Sequence, residues 1–160
     1  MRWSRFAILI ILAAVLQAGF LARWNIRPDL LLILLVFFAV YCGTTEAIIT
    51  SFVIGFTADL IGSSMGPQII SFGLFGTLLA YLHRLIAIRK MPYQAASIFV
   101  VGLFAAVTAY LLSRLTSQPP IQNVYSLIFA TSLYSAVVGP FLFLPFAWWM
   151  RIKSHRSSRN

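Results

Sequence analysis

Cysteine occurs once in this chain, at Cys42, histidine twice, and acidic residues three times, as Asp29, Glu46 and Asp59. A single cysteine excludes an intramolecular disulfide and a multi-cysteine metal centre, so Cys42, lying within an apolar run, is expected to pack as a small hydrophobe. Neither His83 nor His155 has a second His, Cys or carboxylate at ligand spacing, and no metal site is expected. An intramembrane enzyme would need at least two convergent ionisable groups, and only Asp59 qualifies. No G-x-S-x-G elbow and no phosphate-cradling glycine loop is found. Neither a catalytic residue nor a cofactor is therefore expected.

Charge itself is scarce: 9% of the 160 residues are charged and 61% are hydrophobic, against roughly a quarter charged in an ordinary soluble domain. Too few polar side chains remain to cover a soluble surface, so the solvent of the fold is lipid. The net charge of +9, from 12 Lys and Arg against 3 Asp and Glu, would raise nucleic acid as a partner in a soluble protein. Here the cations lie at segment ends, and no basic helix with interleaved aromatics could follow a phosphate backbone, so nucleic-acid binding is excluded.

The expected fold is an all-α integral membrane protein with a single polytopic domain over residues 1–160 and six transmembrane spans, near 6–22, 30–42, 46–61, 68–84, 93–113 and 124–150. The first, FAILIILAAVLQAGFLA, is uncharged between Arg5 and Arg23, with Trp3 and Trp24 at the expected interfaces. It is too long for a signal-peptide core and has no A-x-A site, so it reads as a retained span. Leu30 to Ile61 exceeds one span and falls short of two comfortable ones, at about 1.5 Å per residue. Two short helices with a polar turn at Gly43 to Glu46 are expected there, the other possibility being one kinked helix. GSSMGPQ makes the next turn, and TSQPP ends the fifth span. Gly139-Pro140 and Pro145 should kink the sixth.

Charge tests this count. With six spans, Arg2, Arg5, Arg84, Arg89, Lys90, Arg151, Lys153, Arg156 and Arg159 share one side, leaving Arg23, Arg27 and Arg114 opposite. Both termini are then expected in the cytoplasm. The basic tail sets orientation and can also touch anionic lipid.

Asp59 is the most informative position, because a carboxylate within a membrane helix costs about 2.5–3.5 kcal/mol on insertion scales. Ser51, Gly55, Asp59 and Gly62 follow one another at helical spacings of four, four and three, which puts small residues and the acid on one face. That face is expected to be a packing seam or ligand-facing site, or else Asp59 pairs structurally with Arg23, Arg27 or Arg114. In Arg27-Pro28-Asp29, Pro28 suits a first helical position and Asp29 the positive end of the helix dipole. The corner is a capped turn that a partner could recognise. Ala14, Ala18 and Ala22, Ala58 with Gly62, and Gly76 with Ala80 are small-residue steps that suit close helix packing, internally or against another protein.

RPDLLLILLVFF from Arg27 and FVIGFTADLIGSSMGPQIISFGLFGTLLAYL from Phe52 resemble the core signature of the MreD family of rod shape-determining proteins. In that family a Pro-Asp pair opens a leucine-rich second helix, and a glycine, an aspartate four residues on and a glycine or serine turn precede the next helix. Pro28, Asp29, Gly55, Asp59, Gly62 and Gly66 occupy those positions. The GTTEA segment with Glu46 departs from the pattern. The resemblance implies a non-enzymatic scaffold of the bacterial inner membrane that binds MreC and, through it or beside it, MreB, RodA and a class B penicillin-binding protein. It also implies an architecture similar to the S components of energy-coupling-factor vitamin transporters, which is the alternative functional reading. In that reading the alanine-spaced first helix would dock a coupling subunit, though the outer loops are poor in the polar groups a vitamin pocket needs.

Overall fold

Ten consecutive side chains, Leu31 to Val40, are buried, in a helix that is apolar on every face. This helix, α2 (Leu30–Tyr41), is the axis of the fold in the computed structural model, which describes residues 3–20, 23, 28–62, 66–85, 91–115 and 123–150. Around it stand α1 (Trp3–Val15), continued by a π-helical turn at Leu16–Phe20, then α3 (Thr44–Ile61), α4 (Pro67–Leu85), α5 (Met91–Leu115) and α6 (Val124–Met150). Each of the other five helices packs against α2, and the described residues contain no strand.

Aromatic rings lock the axis to its neighbours. Phe38 meets Phe6 of α1 edge-on at 4.9 Å between centroids, and Phe37 meets Phe143 of α6 at 5.4 Å, pairs of a kind that add about 0.5–1.5 kcal/mol beyond burial. The outer surface is as apolar as the interior: Leu12, Val15, Phe104, Leu111, Phe141, Leu144 and Trp148 are all exposed. A soluble chain does not leave so continuous an apolar surface uncovered. Helices α3, α5 and α6 contain segments long and apolar enough to cross a membrane (Thr44–Ile61, Pro92–Leu115 and Val124–Met150), whereas α2, with 12 residues, is shorter. Inside such a fold hydroxyls must be satisfied locally, and Ser51, Ser71, Thr77 and Ser97 each donate to the carbonyl four residues back.

The chain breaks between α2 and α3 and is not one kinked helix. The break is tighter than the sequence suggested. Only Cys42 and Gly43 lie outside the helices, with Gly43 as N-cap, because Thr44, Thr45 and Glu46 form the first turn of α3, where an acid suits the helix dipole. Half-buried Cys42 packs against the core. Helix α6 continues through Pro140 and Pro145 without interruption.

Alternation of the helices gives the bundle two unlike ends. At one, here the basic end, the Arg5 guanidinium donates to the Trp149 carbonyl at 3.0 Å, and the buried Gln94 amide donates to the Tyr41 hydroxyl at 2.9 Å. The other, acidic end holds Asp29 and Asp59.

Candidate functional site

Gly66 leads into helix α4, whose first residues are Pro67, Gln68 and Ile69, and a helix start leaves its first amides without intrahelical partners. Proline has no amide hydrogen and is favoured at the first helical position. The other three amides donate to one carboxylate, that of Asp59 on α3: Gly66 to Oδ2 at 2.9 Å, Gln68 to Oδ1 at 3.0 Å and Ile69 to Oδ2 at 3.0 Å. The intrahelical ladder then starts with Ile70 donating to the Gly66 carbonyl. Asp59 thus caps α4 from the neighbouring helix.

This arrangement explains how a carboxylate only 2% exposed is tolerated in an apolar bundle. Hydrogen bonds to an ionised acceptor are each worth about 1.5–3 kcal/mol net, which together offset the insertion cost. Asp59 lies in the last turn of α3, where its own helix dipole opposes a negative charge, but it faces the positive end of α4. The expected pairing with Arg23 or Arg114 is absent, because both oxygens are occupied by amides and both arginines are exposed; Arg27 lies outside the described residues.

Two glycines make the approach possible. A Cβ on Gly55 would lie 2.8 Å from the Ile69 Cα and 2.9 Å from the Gln68 carbonyl oxygen, so α3 and α4 touch backbone to backbone one turn below the cap. Gly66 has φ +117°, a conformation that L side chains rarely adopt. Ser51, Ala58, Gly76 and Ala80 are buried, and Gly76 faces Ser51 across the same α3–α4 seam. Gly62 is the exposed C-cap of α3.

The second acid organises three helices. Asp29 is the N-cap of α2, its Oδ1 accepting from the amides of Leu31 and Leu32, each at 3.1 Å. Buried Pro28 therefore precedes the cap and is not the first helical residue, since Asp29 must itself be extended, at φ −85° and ψ 96°, for its side chain to reach those amides. From the π-helical turn after α1, the Gln17 side chain donates to Asp29 Oδ1 at 3.1 Å and accepts from the Leu31 amide at 3.2 Å. From α6, the Ser135 hydroxyl accepts from the Asp29 amide at 2.8 Å. Neither Gln17 nor Ser135 stands out as a site in the sequence. The signal that could have found Gln17 is that it is the sole amide side chain in an uncharged span.

Beside Asp29 a cavity of about 260 Å³ opens at the acidic end between α2, α4, α5 and α6, where Gln68, Tyr110 and Ser113 join Asp29 among apolar residues. Among the described residues no three His, Cys, Asp or Glu side chains gather at metal-binding distance. Along α1 the packed side is Phe6, Leu9, Ile10 and Ala13; Ala14 is half-buried and Ala18 exposed, so the alanine row turns away from the bundle. Ala22 and His155 lie outside the described residues.

A protein-family model described as rod shape-determining protein MreD matches residues 1–153. No curated protein and no solved structure gives a match.

Proposed function

The chain belongs to the MreD family of rod shape-determining proteins, and from that membership we propose that it is a membrane scaffold of the bacterial elongation complex. The family is structural and is not a known enzyme family, and its role lies in rod shape determination. In this reading the protein binds MreC and, through it or beside it, MreB, RodA and a class B penicillin-binding protein, keeping wall synthases and cytoskeleton in one assembly. It crosses the inner membrane six times with both termini in the cytoplasm, as the grouping of nine basic residues on one side favours. The acidic end then faces outward, and the Asp29 corner with its cavity is the face for partner contact. The family match along nearly the whole chain carries this proposal.

The test is gentle solubilisation of epitope-tagged protein from its native membrane, followed by mass spectrometry of what stays bound. Recovery of MreC with wall-synthesis enzymes is the expected result. Recovery of transporter ATPases and a coupling subunit would replace it with the alternative, a vitamin-binding S component of similar architecture.

A further inference from the structure

Below the cavity beside Asp29 lies a recess of about 150 Å³, and Leu32, Gly102, Ala106 and Ile128 wall both spaces. Thr131 and Ser132 of α6 line only the recess. From Val124 at the mouth it reaches down to Ser132, about 12 Å along α6 at about 1.5 Å per residue. That is further than one side chain of a neighbouring protein extends from a backbone outside the bundle. A Cβ on Gly102 would lie 2.6 Å from the Leu32 Cδ2 and 3.3 Å from the Ser132 Oγ, so Ser132 faces bare backbone of α5. Ser132 is 2% exposed, yet among the described residues nothing hydrogen-bonds its hydroxyl, and the same holds for Thr131. Ser51, Ser71, Thr77 and Ser97, by contrast, each donate to the carbonyl four residues back. A hydroxyl held inside an apolar bundle is costly unless it has a partner, so this pair calls for a ligand that supplies one.

Size and charge narrow the ligand. An apolar space of about 150 Å³ is enough for one benzene ring. Lysine and arginine are absent from the described residues lining either space, so a carboxylate or phosphate would be buried without a counter-charge. The Asp29 Oδ1 on the shared wall already accepts from the Leu31 and Leu32 amides and from Gln17, so hydrogen bonding in the recess falls to the neutral hydroxyls of Thr131 and Ser132. We propose that the recess binds a small uncharged ring compound carrying a hydroxyl, carbonyl or amide group, of which a phenol is the simplest. The ring lies among Leu32, Ala106, Leu127 and Ile128, with its polar group on Ser132 or Thr131. The wider cavity above, with Gln68 and Tyr110 on its wall, leaves room for a short substituent.

The experiment is fluorine NMR of 4-fluorophenol, fluorobenzene and 4-fluorobenzoate titrated onto the full chain in nanodiscs, each read as line broadening in excess of that in empty nanodiscs. The phenol is expected to bind roughly fivefold more tightly than fluorobenzene, the worth of about one net hydrogen bond, and the benzoate not at all. Thr131→Val with Ser132→Ala keeps the recess open and should bring the phenol down to the level of fluorobenzene. Ala106→Phe places a ring of the protein in the recess and should abolish binding of both. Equal binding of the phenol and fluorobenzene by the unaltered protein, or a phenol preference that survives the Thr131→Val and Ser132→Ala pair, would overturn the role of the hydroxyls. Phenol binding unchanged in a monodisperse Ala106→Phe variant would overturn the recess as the site. Benzoate binding equal to that of the phenol would overturn the uncharged class.

Discussion

Asp59 accepts a 3.0 Å hydrogen bond from the amide of Ile69, ten residues further along the chain, and so ties the last turn of α3 to the first turn of α4. The same carboxylate takes the Gly66 and Gln68 amides, so the start of one helix depends on a side chain of another.

Asp59→Leu should therefore be costly in spite of its greater hydrophobicity. Losing the acceptor leaves three amides of α4 unpaired, each at about 1–3 kcal/mol, and the expected destabilisation is about 3 kcal/mol or more. Asp59→Asn keeps one acceptor oxygen and should lose less. The check is the temperature at which half of the detergent-solubilised protein leaves the monodisperse peak in fluorescence-detected size exclusion. A Leu variant matching the unaltered protein would show that the cap is dispensable.

Gly55→Ala and Gly66→Ala separate crowding from backbone strain. At Gly55 the added methyl meets α4 backbone at 2.8 Å, and the seam must open at a cost of about 1–3 kcal/mol. At Gly66 nothing lies within 4 Å, yet φ +117° should cost a similar amount, about 1–3 kcal/mol. Gly43→Ala, with neither a close neighbour nor a positive φ, is expected to stay within about 1 kcal/mol of the parent. Equal thermal midpoints for all three variants would contradict this ordering.

Gln17→Leu and Ser135→Ala approach Asp29 from opposite sides. Each removes one link of the corner, from α1 and from α6, and each should cost about 1 kcal/mol. Because both act through one residue, their effects should be non-additive by at least about 0.5 kcal/mol in a double-mutant cycle. Strict additivity would mean that the two contacts hold α2 independently.

Gln94→Leu addresses the basic end. It removes the hydrogen bond to the Tyr41 hydroxyl, and the expected loss is about 1 kcal/mol, with no effect on the acidic end. Cysteine accessibility near Gly66 should be unchanged in this variant and raised in Asp59→Leu.

Features encoded locally were legible in the sequence. The break at Gly43 is announced by glycine and a following run of polar residues, and the start of α2 by Pro28 and Asp29. Membrane character followed from composition alone, and the resemblance to the MreD family agrees with the family match. The environment of Asp59 was visible only in part. Its spacing to Gly55 pointed to a packed face, but its partners are backbone amides, which every helix start possesses and no side chain marks. Oppositely charged arginines stood beside the packed face as the alternative reading. In the same way, the lone glutamine of the first span marks a polar contact, while the identity of that contact depends on how α1 lies against α2.

The enclosure of α2 bears on how the protein is made. Twelve residues rise about 18 Å, well short of a hydrocarbon core of about 30 Å, so α2 is a poor candidate for release into the bilayer alone. It would leave the insertion machinery together with α3 as a hairpin. Of the helices that cover its remaining faces, α1 is synthesised before it and α4, α5 and α6 after it. Until the ribosome has completed α6, the most apolar segment of the chain lacks its final neighbours, and assembly of the core is the last event of biogenesis.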